Sequence, residues 1–259
     1  MAFALITGGS GGIGFYLARE LASRKHNIIL VARSSEQLSQ RCAELSKAFN
    51  IRAEFLSLDL STPDAHLTLK SWLHQNSFSI DILINNAGYG IWNPVEKTTL
   101  DELTNMMQLN MNTLVNLCYT LLPDLKTHKK SFILNVASTA AYQAVPTLTT
   151  YAATKAFVVL FTRGLRQELM KSSVSVSCLS PGATSTGFID RAGMASMKER
   201  AEKFSMKPEA VAKIGIKGML KGKAEIIPGF VNWLSVQFTY LVPKSLTEKI
   251  AQELYKNPK

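Results

Sequence analysis

Phe3-Ala-Leu-Ile-Thr-Gly-Gly-Ser-Gly-Gly-Ile-Gly14 carries an apolar run of strand length straight into a segment whose Tyr16, Leu17 and Leu21 have helical spacing. The glycines sit at the junction. Gly9 to Gly14 satisfies Gly-x-Gly-x-x-Gly, and Thr7 to Gly14 also satisfies Thr-Gly-x-x-x-Gly-x-Gly. Without Cβ atoms the backbone approaches a pyrophosphate closely, and the helix start offers unpaired N–H groups and a positive dipole end. A glycine turn alone also serves purely structural ends. Its place at the opening of the first βα unit is what points to a nucleotide, through Gly8, Ser10, Gly12, Ile13 and Gly14.

Working outward, apolar runs of strand length alternate with helical patterns along the chain, the pattern of repeated βαβ units. Strands are expected near 3–7, 27–32, 53–58, 81–85, 131–137, 174–179 and 224–227. Near-continuous stretches such as Ile28 to Val31 suit strands covered on both faces. Ser34 with Gln37, Thr99 with Glu102 and Ser245 with Glu248 fit capping boxes, while Thr62-Pro63 and Pro208 fit helix starts. With 259 residues, 46% hydrophobic and 19% charged, the chain has material for a sizeable core, and disordered and collagen-like classes are excluded. No linker or repeat divides it, so residues 1–259 are expected to form one α/β domain.

The end of the second strand reads ribose identity. An acid there would accept bonds from a 2′-hydroxyl, but Ala32, Arg33 and Ser34 occupy the stretch, and a guanidinium suits a 2′-phosphate. NADP is therefore favoured over NAD. Ser10, where a second basic group would help, carries no charge.

Further along come Asn85-Asn-Ala-Gly88, Asn110, Ser138, Tyr151-Ala-Ala-Thr-Lys155 and Pro181-Gly182. These motifs in this order resemble the short-chain dehydrogenase/reductase family over residues 1 to about 229. The resemblance implies a single Rossmann-type, doubly wound fold with a seven-stranded, mostly parallel sheet. It also implies Ser138, Tyr151 and Lys155 as the catalytic triad, extended by Asn110 to a tetrad in which Asn110 holds a water. Asp59 and Leu60 resemble the adenine contact; Asn86, Ala87 and Gly88 the wall of the cofactor channel; and Pro181, Gly182, Thr184 and Thr186 the loop holding the carboxamide. The residues carry their own chemistry beside that name. Tyr151 and Lys155 lie four apart and share a helix face, where an ammonium favours the phenolate and, together with an oxidised nicotinamide, brings the phenol toward neutrality as an acid/base. Ser138 polarises the same carbonyl oxygen. No metal is required.

Residues 187–206 match the family's variable substrate lid, and Phe188, Met194, Met197, Phe204 and Met206 make it apolar, as Tyr89, Ile91 and Trp92 do the opposite wall. A hydrophobic ketone or fatty-acyl-type substrate is expected. The net charge of +10 raises nucleic acid or anionic membrane as partners, yet no basic block interleaved with aromatics occurs, and Lys213, Lys217 and Lys221 read as a solvated helix face. Ile226 to Pro243 is uncharged but interrupted by Pro228, Gly229 and polar residues, so it reads as a buried or interface segment within a C-terminal extension of about 230–259. Three widely spaced Cys and the lack of a secretory leader favour the cytoplasm. The resemblance implies a homodimer or homotetramer through residues 100–128 and 149–171. The alternatives are a silent NADP-binding regulator and a peripheral membrane or interaction protein using the apolar C-terminal segment.

Overall fold

The structure, a computed structural model, describes residues 2–194 and 205–255. Seven strands, β1 (Ala2–Thr7), β2 (Asn27–Ala32), β3 (Ala53–Ser57), β4 (Ser79–Asn85), β5 (Ser131–Val136), β6 (Val174–Leu179) and β7 (Glu225–Ile226), fall where the apolar runs place them. All pair in parallel in the order β3-β2-β1-β4-β5-β6-β7. The strand order reverses between β1 and β4. Chains leaving these neighbours turn to opposite sides, which opens a crevice at their carboxyl ends.

Helices cover both faces: α1 (Gly12–Ser23), α2 (Ser35–Phe49), α3 (Ala65–Gln75), α4 (Leu100–Met107), α5 (Thr113–Lys126), α6 (Thr149–Glu168), the short α7 (Phe188–Arg191), α8 (Pro208–Leu220), α9 (Phe230–Leu241) and α10 (Lys244–Leu254). Alternate strand residues feed two cores. Leu5, Ile29, Leu83 and Ile133 meet Leu69 of α3, Leu117 and Leu121 of α5 and Val158 of α6. Ile6, Ile28, Leu30 and Ile84 meet Leu17 and Leu21 of α1, Leu38 and Leu45 of α2 and Ile216 of α8. Both faces are therefore dry, which explains why the strands read as continuous apolar runs. Each fully buried Leu or Ile contributes about 1.5–3 kcal/mol relative to exposure.

Helix starts are partly as expected. Ser34 caps α2 by accepting from the Gln37 N–H, Thr99 and Glu102 form a reciprocal box on α4, and Pro208 lies in the first turn of α8. Two starts are corrected. At Thr62-Pro63 the Thr62 hydroxyl is spent on the Asp59 carbonyl, and α3 begins only after Asp64. The last helix begins at Lys244 with the extended Pro243 at its cap, so Ser245 is already interior.

Of the two readings of Ile226 to Pro243, burial within the chain does not hold, because α9 exposes most of its apolar side chains. Leu241 is 83% exposed, and within the helix Val236 alone is buried. No helix among the described residues is long and apolar enough to cross a membrane. Lys213, Lys217 and Lys221 are solvent-exposed, and the three cysteines are buried and free. Among the described residues no cluster of His, Cys, Asp and Glu is disposed to hold a metal ion.

Candidate active site

The turn between β1 and α1 is locked to the end of β4. Thr7 Oγ1 accepts from the N–H groups of Asn86 and Ala87, each at 3.0 Å, and Asn86 Nδ2 donates back to the carbonyls of Thr7 and Gly8 at 2.9 and 3.2 Å. The fit is close: a Cβ on Gly14 would lie 2.3 Å from the Gly8 carbonyl oxygen, so α1 meets the turn only with glycine there. At Gly11, the residue preceding α1, nothing lies within 4 Å of where a Cβ would stand. The first turn of α1 has no acidic side chain and no side-chain cap. Its unpaired N–H groups thus face open space that suits an anion, and the residues present fit a dinucleotide pyrophosphate. Ile13 packs on the core beneath.

At the adenosine end, Arg33 is exposed at the tip of β2, its carbonyl held by the Ser57 hydroxyl at 2.7 Å. Asp59 is engaged by the N–H and hydroxyl of Ser61 at 2.9 and 2.7 Å; these bonds, with the Arg33 charge adding less, hold its carboxyl below the usual range. Two residues expected at the cofactor face inward or are already occupied. The Leu60 side chain is in the core while its carbonyl takes the Thr113 hydroxyl at 2.6 Å, and the Ser34 hydroxyl serves as a helix cap.

One basic group was missed. Arg41 of α2 donates from Nε to the Ser10 carbonyl at 3.4 Å and lies 4.4 Å from the centre of the Phe15 ring, with Glu44 as its ion-pair partner at 2.9 Å. It brings to the glycine turn the cation that Ser10 lacks. The signal was its spacing from Leu38 and Leu45, three and four positions away, which sets it at the edge of the buried face of α2.

Tyr151 and Lys155 share the buried face of α6, at 8% and 5% exposure. Lys155 Nζ donates to the Val136 carbonyl at the end of β5 at 2.9 Å and stands 5.9 Å from the centre of the Tyr151 ring. Gly88 brings Asn110 into the same group, since a Cβ there would lie 2.8 Å from Asn110 Oδ1 and 3.3 Å from Lys155 Nζ. Asn110 sits in a π-helical turn, Gln108–Asn112, which aims its amide inward. That amide clasps the Tyr89 backbone from both sides, accepting from its N–H at 3.1 Å and donating to its carbonyl at 2.9 Å, and also donates to Thr154 Oγ1 at 3.0 Å. What Asn110 visibly does is pin the wall segment that begins at Tyr89. Ser138 lies two residues past β5, and its Oγ accepts from the Ala140 N–H at 3.1 Å, leaving its own proton to donate.

Lys155 alone does not outweigh burial, which pushes Tyr151 up to about 12, with the Ser138 hydroxyl opposing and the Tyr255 phenol adding to the rise. Burial also lowers Lys155 to about 8. Both charged forms lose hydration in the same dry pocket, and the ammonium spends its bond on a backbone carbonyl rather than on the phenol. At neutral pH the arrangement holds a protonated phenol beside a readily deprotonated amine, which is a proton donor with its relief alongside.

An apolar cluster packs around Tyr151. Trp92, Met106, Val145, Leu148 and Met194 are among its buried members, and the Phe188 ring lies 5.3 Å from that of Tyr151. Met206, expected there, instead packs on the core over α1 and bridges to Thr184, whereas Met197 and Phe204 lie outside the described residues. After β6, the Pro181 carbonyl accepts from the Thr139 N–H at 2.9 Å, Thr184 Oγ1 donates to the Gly182 carbonyl at 3.0 Å, and Thr186 accepts from the Phe188 N–H at 3.3 Å. Thr186 also stands over Gly12, and Asn232 of α9 abuts Gly182. The sequence alone did not bring Asn232 to this loop.

Comparison with known proteins agrees with this geometry. A family model described as short chain dehydrogenase matches residues 2–196. The very-long-chain 3-oxoacyl-CoA reductase of Mus musculus is 28% identical over 265 residues, covering 98% of this chain and 84% of that protein. Ketoacyl reductase HetN of a Nostoc species is 30% identical over 226 residues, covering 86% and 77%. A short-chain dehydrogenase from Sphingobium yanoikuyae, solved in complex with NADPH, superposes with a TM-score of 0.82 at 27% identity over 93% of this chain and 94% of that one.

Proposed function

The chain belongs to the short-chain dehydrogenase family and is an oxidoreductase using a nicotinamide cofactor, and from that premise we propose that it reduces a ketone on an apolar, fatty-acyl-type substrate with NADPH. The observation that supports this most is the burial of Tyr151 and Lys155 beside an apolar wall at the carboxyl end of the sheet, next to the open helix start at Gly11. A 3-oxoacyl thioester suits it, since relatives named as 3-oxoacyl-CoA and ketoacyl reductases align over most of the chain.

When bound, the cofactor supplies the hydride that the carbonyl carbon accepts. Tyr151 donates its proton to the carbonyl oxygen, and Ser138 hydrogen-bonds the same oxygen as negative charge develops on it. Lys155 would hold the nicotinamide ribose hydroxyls, and its ammonium stands close enough to Tyr151 to resupply the phenolate with a proton. Gly8, Ser10, Gly12, Ile13 and Gly14 would cradle the pyrophosphate, Asp59 and the Leu60 backbone would border the adenine, and Asn86, Ala87 and Gly88 would wall the channel. Pro181, Gly182, Thr184 and Thr186 would hold the carboxamide. Arg33 would meet the 2′-phosphate, and Arg41, bonded to the Ser10 carbonyl, would add a second positive charge at the glycine turn. One domain with a lid at 187–206 carries these parts, in the cytoplasm. It assembles as a homo-oligomer through α4, α5 and α6, where Tyr119 is 82% and Leu160 72% exposed.

The reading is tested by following NADPH absorbance with 3-oxoacyl thioesters of increasing chain length; turnover rising with chain length supports it, and activity confined to small polar sugars contradicts it. In the same assay Arg33→Ala is expected to weaken NADPH binding about tenfold, by loss of a charge-assisted contact, while leaving NADH nearly unchanged. Equal effects on both cofactors would remove Arg33 from the 2′-phosphate site.

A further inference from the structure

The family match ends at residue 196, yet the chain returns to the cavity at its far end. Tyr255, immediately after α10, accepts two hydrogen bonds at its carbonyl, from Trp92 Nε1 at 3.3 Å and from Thr147 Oγ1 at 3.2 Å. Both donors are wall residues. The Trp92 N–H donates to the Ala192 carbonyl at 2.9 Å and the Asn93 N–H to the Thr147 carbonyl at 2.8 Å, so segments 89–94, 145–148, 188–194 and Tyr255 close on one another. Thr147 holds a φ of 66°, which is costly for a β-branched residue and persists only where the surroundings fix it.

The Tyr255 side chain packs on the cluster that contains Tyr151, Trp92 and Met194. Its phenol lies near enough to that of Tyr151 for the two to interact electrostatically. Among the described residues the Tyr255 hydroxyl has no hydrogen-bond partner, although burial keeps it protonated. A half-buried phenol donor without a partner, packed on the apolar cluster beside the acid that serves the reacting oxygen, is placed for a second acceptor on the same molecule.

We propose that Tyr255 is a specificity residue whose ring closes the substrate cavity and whose hydroxyl donates to an acceptor next to the reacting ketone, such as the acyl oxygen of a 3-oxoacyl thioester. The proposal rests on the carbonyl-reduction reading above and names the substrate feature that the C-terminal segment selects. A ketone lacking the second oxygen would leave the donor unsatisfied and gain nothing from it.

The test compares a 3-oxoacyl N-acetylcysteamine thioester with a methyl ketone of equal chain length, in wild type, Tyr255→Phe and Tyr255→Ala. Tyr255→Phe keeps the ring and removes the donor. It is expected to lower kcat/KM for the thioester about tenfold, mainly through KM, with the methyl ketone and NADPH affinity unchanged, as for one buried hydrogen bond. Tyr255→Ala is expected to lower both substrates by opening the wall. The saturated acyl thioester, which has the acyl oxygen but no ketone, reports the same contact as a competitive inhibitor, with an inhibition constant about tenfold higher in Tyr255→Phe. Unchanged inhibition and unchanged thioester kinetics in Tyr255→Phe, or equal losses on both substrates, would overturn the assignment while leaving carbonyl reduction intact. Absence of turnover on either substrate by wild type would overturn the functional reading and this proposal with it.

Discussion

Tyr151→Phe is expected to slow carbonyl reduction by about 10³-fold, within the range for removing a positioned general acid, while NADPH affinity stays within about twofold. The reason is local. The ring remains, still packed against Phe188 and the cavity wall, so the pocket keeps its shape and only the proton is lost. Because burial holds the wild-type phenol at about 12, it is protonated across the neutral range, and the variant's deficit in reduction should hold steady from pH 6 to 8. Steady-state NADPH consumption by both proteins, with cofactor titrations alongside, checks this. A variant retaining more than about a tenth of wild-type activity would mean that water or another side chain protonates the oxygen.

Lys155→Met is expected to separate stability from activity. Lys155 titrates near 8 in the fold against an ordinary 10.5, because burial penalises the ammonium. The folded chain therefore holds fewer protons than the unfolded chain between those values. Stability rises as the pH is raised through that window, and below pH 8 the full penalty is present, on the order of 3 kcal/mol. Methionine fills the same space without the charge. The variant should be more stable than wild type at pH 7 by about 1–3 kcal/mol, part of the gain being offset by the lost bond to the Val136 carbonyl, and the advantage should vanish by about pH 10.5. Turnover should fall by at least about 10²-fold. Denaturant unfolding at both pH values, with activity measured on the same samples, decides it; a variant less stable at pH 7 would show that Lys155 is a structural asset rather than a cost carried for function.

Much of the fold is written in local patterns. Strands such as Asn27–Ala32 are buried on both faces, so their residue type is dictated by position in the sheet and their reading needs no tertiary knowledge. The glycine turn is equally legible, because the Gly14 contact with the Gly8 carbonyl excludes any side chain. Less legible are features set by distant partners. Ser245 and Glu248 have the spacing of a cap, but the cap falls at Pro243, two residues before Ser245. Spacing reveals the amine beside the Tyr151 phenol but not how strongly burial opposes it. Arg41, Asn232 and Tyr255 reach the site through the packing of α2, α9 and the chain's end; the spacing of Arg41 from Leu38 and Leu45 sets its face but not its partner, and nothing in the neighbours of Asn232 and Tyr255 announces theirs. The uncharged run at 226–243 leaves burial and interface open at the level of sequence, because hydropathy reports composition and not which face is covered.

The central claim is that hydride and proton meet on one carbonyl beside Tyr151. Transfer of deuterium from 4-deuterated NADPH to a 3-oxoacyl thioester, read by mass spectrometry of the product, tests it most directly. The account predicts one deuterium at the new carbinol carbon, formed from one face of the cofactor and lost together with turnover in Tyr151→Phe. Cofactor oxidation that leaves the product unlabelled, or labelled product formed equally well by Tyr151→Phe, would contradict it.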